Sequence, residues 1–302
     1  MKVAKDKIRQ IAYTLLEKPM GSDSVERHSQ PGDILNRKFQ RYARQDQSSL
    51  TPSDRPEYLN WLNMLMFPGS SLGGARPKAS VVDDADHLWI AKFPSRYDDY
   101  DIAAWEFLAY QLAQNAEIDM APCRIEKWNS HHHTFLTQRF DRTAKSRLHF
   151  TSALTQLGYY DGEYDASYLE LAQFLTEHGS NTKKDLAQLW RRIVFNIAVS
   201  NSDDHLRNHG FVYQKSGWTL SPAYDINPVT PSNGLHLNIT DNDNSLNYDL
   251  AMEVIDFFQL NENKAETIKK EVLASVRQWE TVAGSIGISR NEQQLMSSAF
   301  NV

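Results

Sequence analysis

A disulfide within the chain is excluded, because Cys123 is the one cysteine among 302 residues. A lone thiol fits a reducing compartment, and a cytoplasmic location is the expectation. Long apolar runs are missing too. The opening "MKVAKDKIRQIAYTLLEK" is charged on both sides of a short apolar stretch, too short and too polar for a signal peptide or a membrane span, so no membrane contact is expected. There is no excess of positive charge. A net charge of −6 and a pI near 5.9 leave no global basic field for nucleic acid, and "RKFQRYARQ" reads as a solvated helix face. Internal repeats and low-complexity tracts are also absent. What the chain has is 41% hydrophobic and 11% aromatic residues, enough for a sizeable core in one large domain or two subdomains.

Texture divides the chain in three. Residues 1–60 carry two helical patterns, a stripe of Ile8, Ile11, Ala12, Leu15 and Leu16 and a run from Asp33 to Gln45, followed by a Pro-containing linker. They read as a helical cap of unknown role, with a DNA-binding remnant as the other reading. Residues 61–142 turn strand-rich. "KASVVD" and "HLWIAKF" are short, β-branched or aromatic, and bounded by turn residues. "DIAAWEFLAYQLAQNAEI" is an amphipathic helix, and "PCRIEKWNSHHHTFLTQRFDR" reads as a hairpin with second strand "TFLTQRF". Residues 143–302 are mainly helical. "ASYLELAQFLTEHG" ends at a glycine suited to a C-cap. "KKDLAQLWRRIVFNIAVSNSDD" is apolar all around its second half and reads as a buried central helix. "HGFVYQKSGWTLS" is a hairpin turning at Lys215 to Gly217. "YDLAMEVIDFFQL", "KAETIKKEVLASVRQWETVAGSI" and "RNEQQLMSSAF" read as three closing helices. The expected class is α+β, a two-lobed arrangement of a small strand-rich lobe and a large helical lobe.

The chemistry concentrates in "NSDDHLRNHGFVYQKSGWTLSPAYDINP", Asn201 to Pro228. Acids and amides this dense are costly unless a cation sits among them. Asp203 can serve as a base, Asn208 as an oxygen ligand, and the hairpin returns Asp225 to them. An amide oxygen and a carboxylate suit a hard cation such as Mg2+, which keeps further positions for phosphate oxygens. The spacing of a base Asp, an Asn five residues on, and a separate metal Asp is that of a protein kinase. Two other readings stand beside it. His205 and His209, four apart, would share a helix face and suit zinc. The acids could also be plain caps or loop residues, which is the reading favoured for Asp204. His131 to His133 sit at a hairpin tip and read as solvated.

A phosphotransferase must also hold phosphates. "PGSSLGGARPKAS" offers Gly69, Gly73 and Gly74, whose backbone N–H groups can turn to an anion, with Lys78 on the strand after them. Lys92 lies in an apolar strand, where a charge demands a partner. Glu106 on the following helix is the candidate, with a plain surface charge as the alternative.

Together, "SSLGGARPKA", "AKFP", "TQRFDR", "NSDDHLRN" and "LSPAYDINP" resemble the HipA family of bacterial serine/threonine kinases, the toxin half of HipBA-type toxin–antitoxin systems, over about residues 65–260. The resemblance implies a kinase-like fold that uses ATP and Mg2+ to phosphorylate a protein, an aminoacyl-tRNA synthetase in that family. Residue by residue, it implies that Gly73, Gly74, Ala75, Arg76, Pro77, Lys78 and Lys92 hold the ATP phosphates. Gln138, Arg139 and Phe140 form the hinge beside adenine, with Gln138 where the family usually has an acid. Asp203 is the catalytic base. His205, Leu206, Arg207, Asn208 and Tyr224 line the nucleotide, and Asn208 with Asp225 binds the metal. Ser71 matches the autophosphorylated serine, with Ser70 beside it. The stretch before the loop is shorter than the family's N-terminal subdomain and is similar to the short HipT-like form. Partners implied are HipB-like and HipS-like antitoxins, with DNA reached only through an antitoxin. A small-molecule phosphotransferase and an ATP-binding pseudokinase are the alternative functions.

Overall fold

The computed structural model describes Arg76 and residues 78–302, apart from 84, 96, 129, 130, 144, 145, 161 and 164. The expected N-terminal helices and linker lie outside the described residues, as do Ser70, Ser71, Gly73, Gly74, Ala75 and Pro77. The chain forms two compact units. One is a sheet unit, made of the described residues up to Asp99 and Arg124–Gln138; the other is a helical unit, made of Tyr100–Cys123 and Arg139–Val302.

The sheet unit holds β1 (Lys78–Val82), β2 (Leu88–Lys92), β3 (Cys123–Glu126) and β4 (Thr134–Gln138), ordered β1-β2-β4-β3. β1 and β2 are antiparallel, with Lys78 opposite Lys92 and Val82 opposite Leu88. Asp83 closes their turn. Its carboxylate accepts the backbone N–H groups of Ala85 and His87 and the indole N–H of Trp89, each at 2.9 Å. Alternation turns Ala79, Trp89, Ala91 and Leu136 into a small core with Phe93 and Trp128. The second strand of the expected hairpin stops at Gln138, two residues short of Phe140.

In the helical unit, α1 (Ile102–Asn115) starts at Asp101, whose side chain accepts the N–H of Ala104. Its Trp105, Leu108 and Leu112 belong to the large core, so this helix, placed with the strands by sequence, packs with the helices. β5 (Phe150–Ser152) and α2 (Ala153–Leu157) follow; neither was expected, although Ser152 caps the helix and Gly158 ends it at φ 79°. α3 (Tyr168–His178) begins with a capping box of Ser167 and Glu170. Gly179 is obligatory after it, since a Cβ there would lie 2.2 Å from the carbonyl oxygen of Leu175.

The central helix α4 (Thr182–Ala198) is buried nearly all round. β6 (Gly210–Gln214) and β7 (Gly217–Leu220) form the expected hairpin and pair with β5 in the order β5-β6-β7. Gly210 is also demanded by space: a Cβ would fall 2.3 Å from the Phe150 ring.

The closing segment departs from three long helices. It runs as α5 (Tyr248–Glu253), a 3-10 turn at Ile255–Phe258, α6 (Glu262–Val276), α7 (Trp279–Ile286) and α8 (Arg290–Met296). The break at Arg277 and Gln278 lets Trp279 turn inward, where its ring stacks on Phe300 at 4.3 Å and lies 6.4 Å from Trp105. Burial of one tryptophan outweighs continued helix propensity there. Among the described residues no helix is long and apolar enough to cross a membrane.

Candidate functional site

The floor of the site is α4. Most of its side chains are apolar, but Arg192 and Asn196, one turn apart, carry polar groups into the buried interior, 2% and 1% exposed. Beyond its end, Ser200 takes a left-handed φ of 50°, and the chain folds back over the helix as the loop 201–209.

Asp204 anchors that loop. It is buried, and its Oδ2 accepts hydrogen bonds from the Tyr168 hydroxyl at 2.5 Å and the Asn196 amide at 2.6 Å, with His209 Nε2 at 2.8 Å. Burial alone would raise this carboxyl. The charge and hydrogen bond of His209 and the hydroxyl of Tyr168 outweigh burial and hold it below the usual carboxylate range. The same contact, with burial acting first, pushes the Tyr168 hydroxyl well above its ordinary value and keeps it a donor. The expectation of a solvated or capping Asp204 is thereby corrected. A buried carboxylate is tolerable because several donors converge on it, and those donors come from α3, from α4 and from His209.

With Asp204 turned in, its neighbour Asp203 is turned out and exposed. The Asp203 carbonyl accepts the backbone N–H of His205 at 3.0 Å and the side-chain amide of Asn208 at 2.9 Å. With its nitrogen so used, the amide of Asn208 has its oxygen left as a ligand atom. The zinc reading fails on geometry. His209 is directed into the core on Asp204, whereas His205 stands against His236, ring centroids 5.7 Å apart, so no shared helix face exists.

The segment after β7 is tied to the same loop. Arg192 donates to the carbonyl of Ser221 at 2.6 Å, the Tyr224 hydroxyl donates to the carbonyl of Arg207 at 2.8 Å, and Asn227 N–H donates to Asn201 Oδ1 at 3.3 Å. Asp225, between the last two anchors, is held at a left-handed φ of 59°, a conformation costing roughly 1–3 kcal/mol for a non-glycine residue. Burial lowers the Arg192 guanidinium to about 10, against the opposing charge of Asp204, so it stays cationic at neutral pH. Phe140 joins this side, its ring centroid 5.7 Å from Tyr224 and 5.4 Å from Phe150. Leu206 is buried and Arg207 exposed. Arg139 is committed to a bidentate pair with Asp141, at 2.8 and 2.6 Å.

The remaining residues belong to the sheet unit, except Glu106, which lies on α1 of the helical unit. Lys78 and Lys92 are direct cross-strand partners, so both side chains rise from one face. Lys92 Nζ lies 5.4 Å from the Phe135 ring centroid. Arg76 pairs with Asp98, and Gln138 ends β4 opposite Trp89. Glu106 is 5% exposed, which removes the surface-charge reading. Of the three histidines at the hairpin tip, only His131 is exposed; His132 and His133 are half-buried, and His132 Nε2 lies 3.2 Å from the carbonyl of Asp98.

Sequence reasoning missed Tyr168, Asn196 and Arg192, and it gave His209 a zinc role in place of its contact with Asp204. Tyr168 lies 36 residues before Asp204, and no local spacing reports such a contact. The polar residues Arg192 and Asn196 inside an otherwise apolar helical run were the available signal.

Comparison with known proteins adds the relatives. The family model of the HipA-like C-terminal domain matches residues 70–280. A Haemophilus influenzae protein named as a candidate kinase is 24% identical over 189 residues, 54% of this chain and 54% of its own length. A second candidate kinase, Y4dM of Sinorhizobium fredii, is 27% identical over 157 residues, 47% of this chain and 38% of its own. The chain thus spans about half or less of these curated relatives. Among solved structures, the Shewanella oneidensis toxin–antitoxin complex of HipA, HipB and operator DNA matches with a TM-score of 0.61 at 16% identity, over 93% of this chain and 71% of that one. The Helicobacter pylori proinflammatory kinase CtkA matches with a TM-score of 0.54 at 13% identity, over 75% and 87%. These likenesses make the fold an α+β, kinase-like one.

Proposed function

Since the chain belongs to the HipA-like C-terminal domain family, we propose that it is an ATP- and Mg2+-dependent serine/threonine protein kinase and the toxin of a HipBA- or HipBST-type system. The observation that carries the reading is the loop 203–208, pinned from below by Asp204 and tied to the Asp225 segment through Tyr224 and Arg207.

The donor set fits a hard cation. Asn208 offers an amide oxygen and Asp225 a carboxylate, the all-oxygen chemistry that Mg2+ takes. When bound there, the ion neutralises charge on the phosphate oxygens. Asp203 accepts the proton of the acceptor hydroxyl as that oxygen bonds to the γ-phosphorus. The bond from the γ-phosphorus to the bridging oxygen breaks, and its electron pair leaves with ADP. Lys78 and Lys92, opposite each other on β1 and β2, supply positive charge for phosphates. Phe140 and Tyr224 offer an aromatic surface for adenine, with Gln138 and Arg139 as hinge and His205, Leu206 and Arg207 lining the nucleotide. Ser71, with Ser70 beside it, is the proposed site of inactivating autophosphorylation, since a phosphate adds about −1.5 to −2 charges in a loop made for phosphates. The acceptor class is a protein such as an aminoacyl-tRNA synthetase, and the partners are HipB-like and HipS-like antitoxins.

A ligand that binds the folded state raises stability by mass action. ATP with Mg2+ should raise the melting temperature of the wild type, and Lys92→Ala should reduce the shift. No shift at millimolar nucleotide contradicts the reading.

A further inference from the structure

The loop 201–209 leaves α4 through a tight turn. An α-helix leaves its last four carbonyls without intrahelical partners, and at the end of α4 these are Phe195 to Ala198. The Val199 N–H takes Phe195 at 3.0 Å. The N–H of Asn201 reaches back to the carbonyl of Asn196 at 2.9 Å, and that of Ser200 to Ile197 at 3.3 Å, the pattern of a Schellman turn. Such a turn favours glycine at its left-handed residue. Here that residue is Ser200, at φ 50° and 2% exposed.

Asn301 supplies what the turn lacks. Its side-chain amide donates to the carbonyl of Ile197 at 2.8 Å and to the hydroxyl of Ser200 at 2.9 Å. Its backbone N–H donates to the carbonyl of Ala198 at 2.8 Å. The last carbonyls of α4 are thereby met, and a serine is pinned where glycine would sit without strain. Asn301 is itself fixed: the Tyr248 hydroxyl of α5 donates to its carbonyl at 2.5 Å, and the preceding Phe300 is stacked on Trp279. The pinned turn leads to both chemical groups. Asp203 follows Ser200 on the same loop. Asn201, wholly buried, donates to Asn196 Oδ1 at 3.1 Å and accepts the N–H of Asn227, beside Asp225, at 3.3 Å. Ser298 meets Thr230 of that same segment, hydroxyl to hydroxyl, at 2.5 Å. A shift at Ser200 therefore reaches the base along the chain and the metal ligand through Asn227.

We propose that Asn301 is a positioning residue for phosphoryl transfer, setting Asp203 and Asp225 through the Ser200 turn. It acts through the end of α4 and is not itself a catalytic residue. It lies beyond residues 70–280, the span of the family match, and no motif of the sequence reading contains it. The inference rests on the kinase reading and extends it to the part of the chain that holds the two acids in register.

Asn301→Ala removes both side-chain hydrogen bonds and keeps the backbone one. The full chain is assayed for turnover of ATP labelled at the γ-phosphate, to protein or to water, at a temperature where denaturation curves show each variant folded. There, a loss of stability alone leaves kcat unchanged. Misplaced reacting groups should instead lower kcat about ten-fold or more. The Mg2+ needed for half-maximal turnover should rise several-fold, with nucleotide binding in the absence of Mg2+ kept within about two-fold. Amide hydrogen exchange should quicken across residues 200–209 and 225–227 and not across α6. Ser200→Gly, placed in the Asn301→Ala chain, supplies a residue that takes the left-handed turn unaided and should restore most of the lost kcat. If Asn301→Ala does not fold, Tyr248→Phe, which removes one hydroxyl from the Asn301 carbonyl, decides by the same readouts, with kcat expected to fall about three-fold. A folded Asn301→Ala with kcat and Mg2+ requirement within about two-fold of the wild type overturns the inference, as does a loss that Ser200→Gly leaves uncorrected. A wild type that turns over no ATP removes the kinase reading instead. Exchange then still reads the pin by itself, and exchange unchanged in Asn301→Ala overturns that too.

Discussion

Asp203 and Asp204 are chemically identical neighbours with opposite surroundings. Backbone geometry sends one into solvent and the other into a nest of donors, and the inward one sets where the outward one stands. The sequence shows two acids and cannot rank them, because the ranking depends on Tyr168 and Asn196 arriving from other elements. The Asp203, Asn208 and Asp225 pattern, by contrast, is local enough to read directly. A hydrogen bond to a charged group contributes about 1.5–3 kcal/mol, so Tyr168→Phe should destabilise the protein by that amount. Asp204→Asn should cost more, since it removes the negative charge on which the donors of Tyr168, Asn196 and His209 converge. Equilibrium denaturation checks both. A Tyr168→Phe variant as stable as the wild type would mean that the loop is not held from below.

At the scale of elements, strands and amphipathic helices were legible where side-chain period and punctuation agreed, as in β1, β2, α1, α3 and α4. They were illegible where a tertiary contact overrode local preference. The Trp279–Phe300 stack breaks a helix that propensity would continue, and the three-residue strand β5 has too few residues to show a period. The β1–β2 turn yields a pH test. Desolvation raises the Asp83 carboxyl, but the hydrogen bonds from Trp89, His87 and Ala85 outweigh it and bring the value to about 2. A carboxyl depressed in the folded state contributes stability that is present above its unfolded value, about 3.9, and is lost as pH falls through the folded one. Acid titration of stability should therefore show a loss between about pH 4 and pH 2. Asp83→Asn should flatten that part of the curve; an unchanged curve would show that these hydrogen bonds do not hold the turn in solution.

For the whole molecule, five short motifs in one order carried the family reading, and the matched family domain over residues 70–280 agrees with it. Motif order survives divergence better than overall identity, which is 24–27% to the kinase-named relatives described above. What no motif reports is the buried support of α3 and α4 on which the proposed chemistry depends. The most direct measurement incubates the full chain with Mg2+ and ATP labelled at the γ-phosphate, beside Asp203→Asn and Asp225→Asn. The result expected is label transferred to protein by the wild type and by neither variant, with Mg2+-dependent nucleotide binding kept in Asp203→Asn and weakened in Asp225→Asn. Transfer retained in Asp203→Asn, or no transfer by a wild type that binds ATP, would contradict the account.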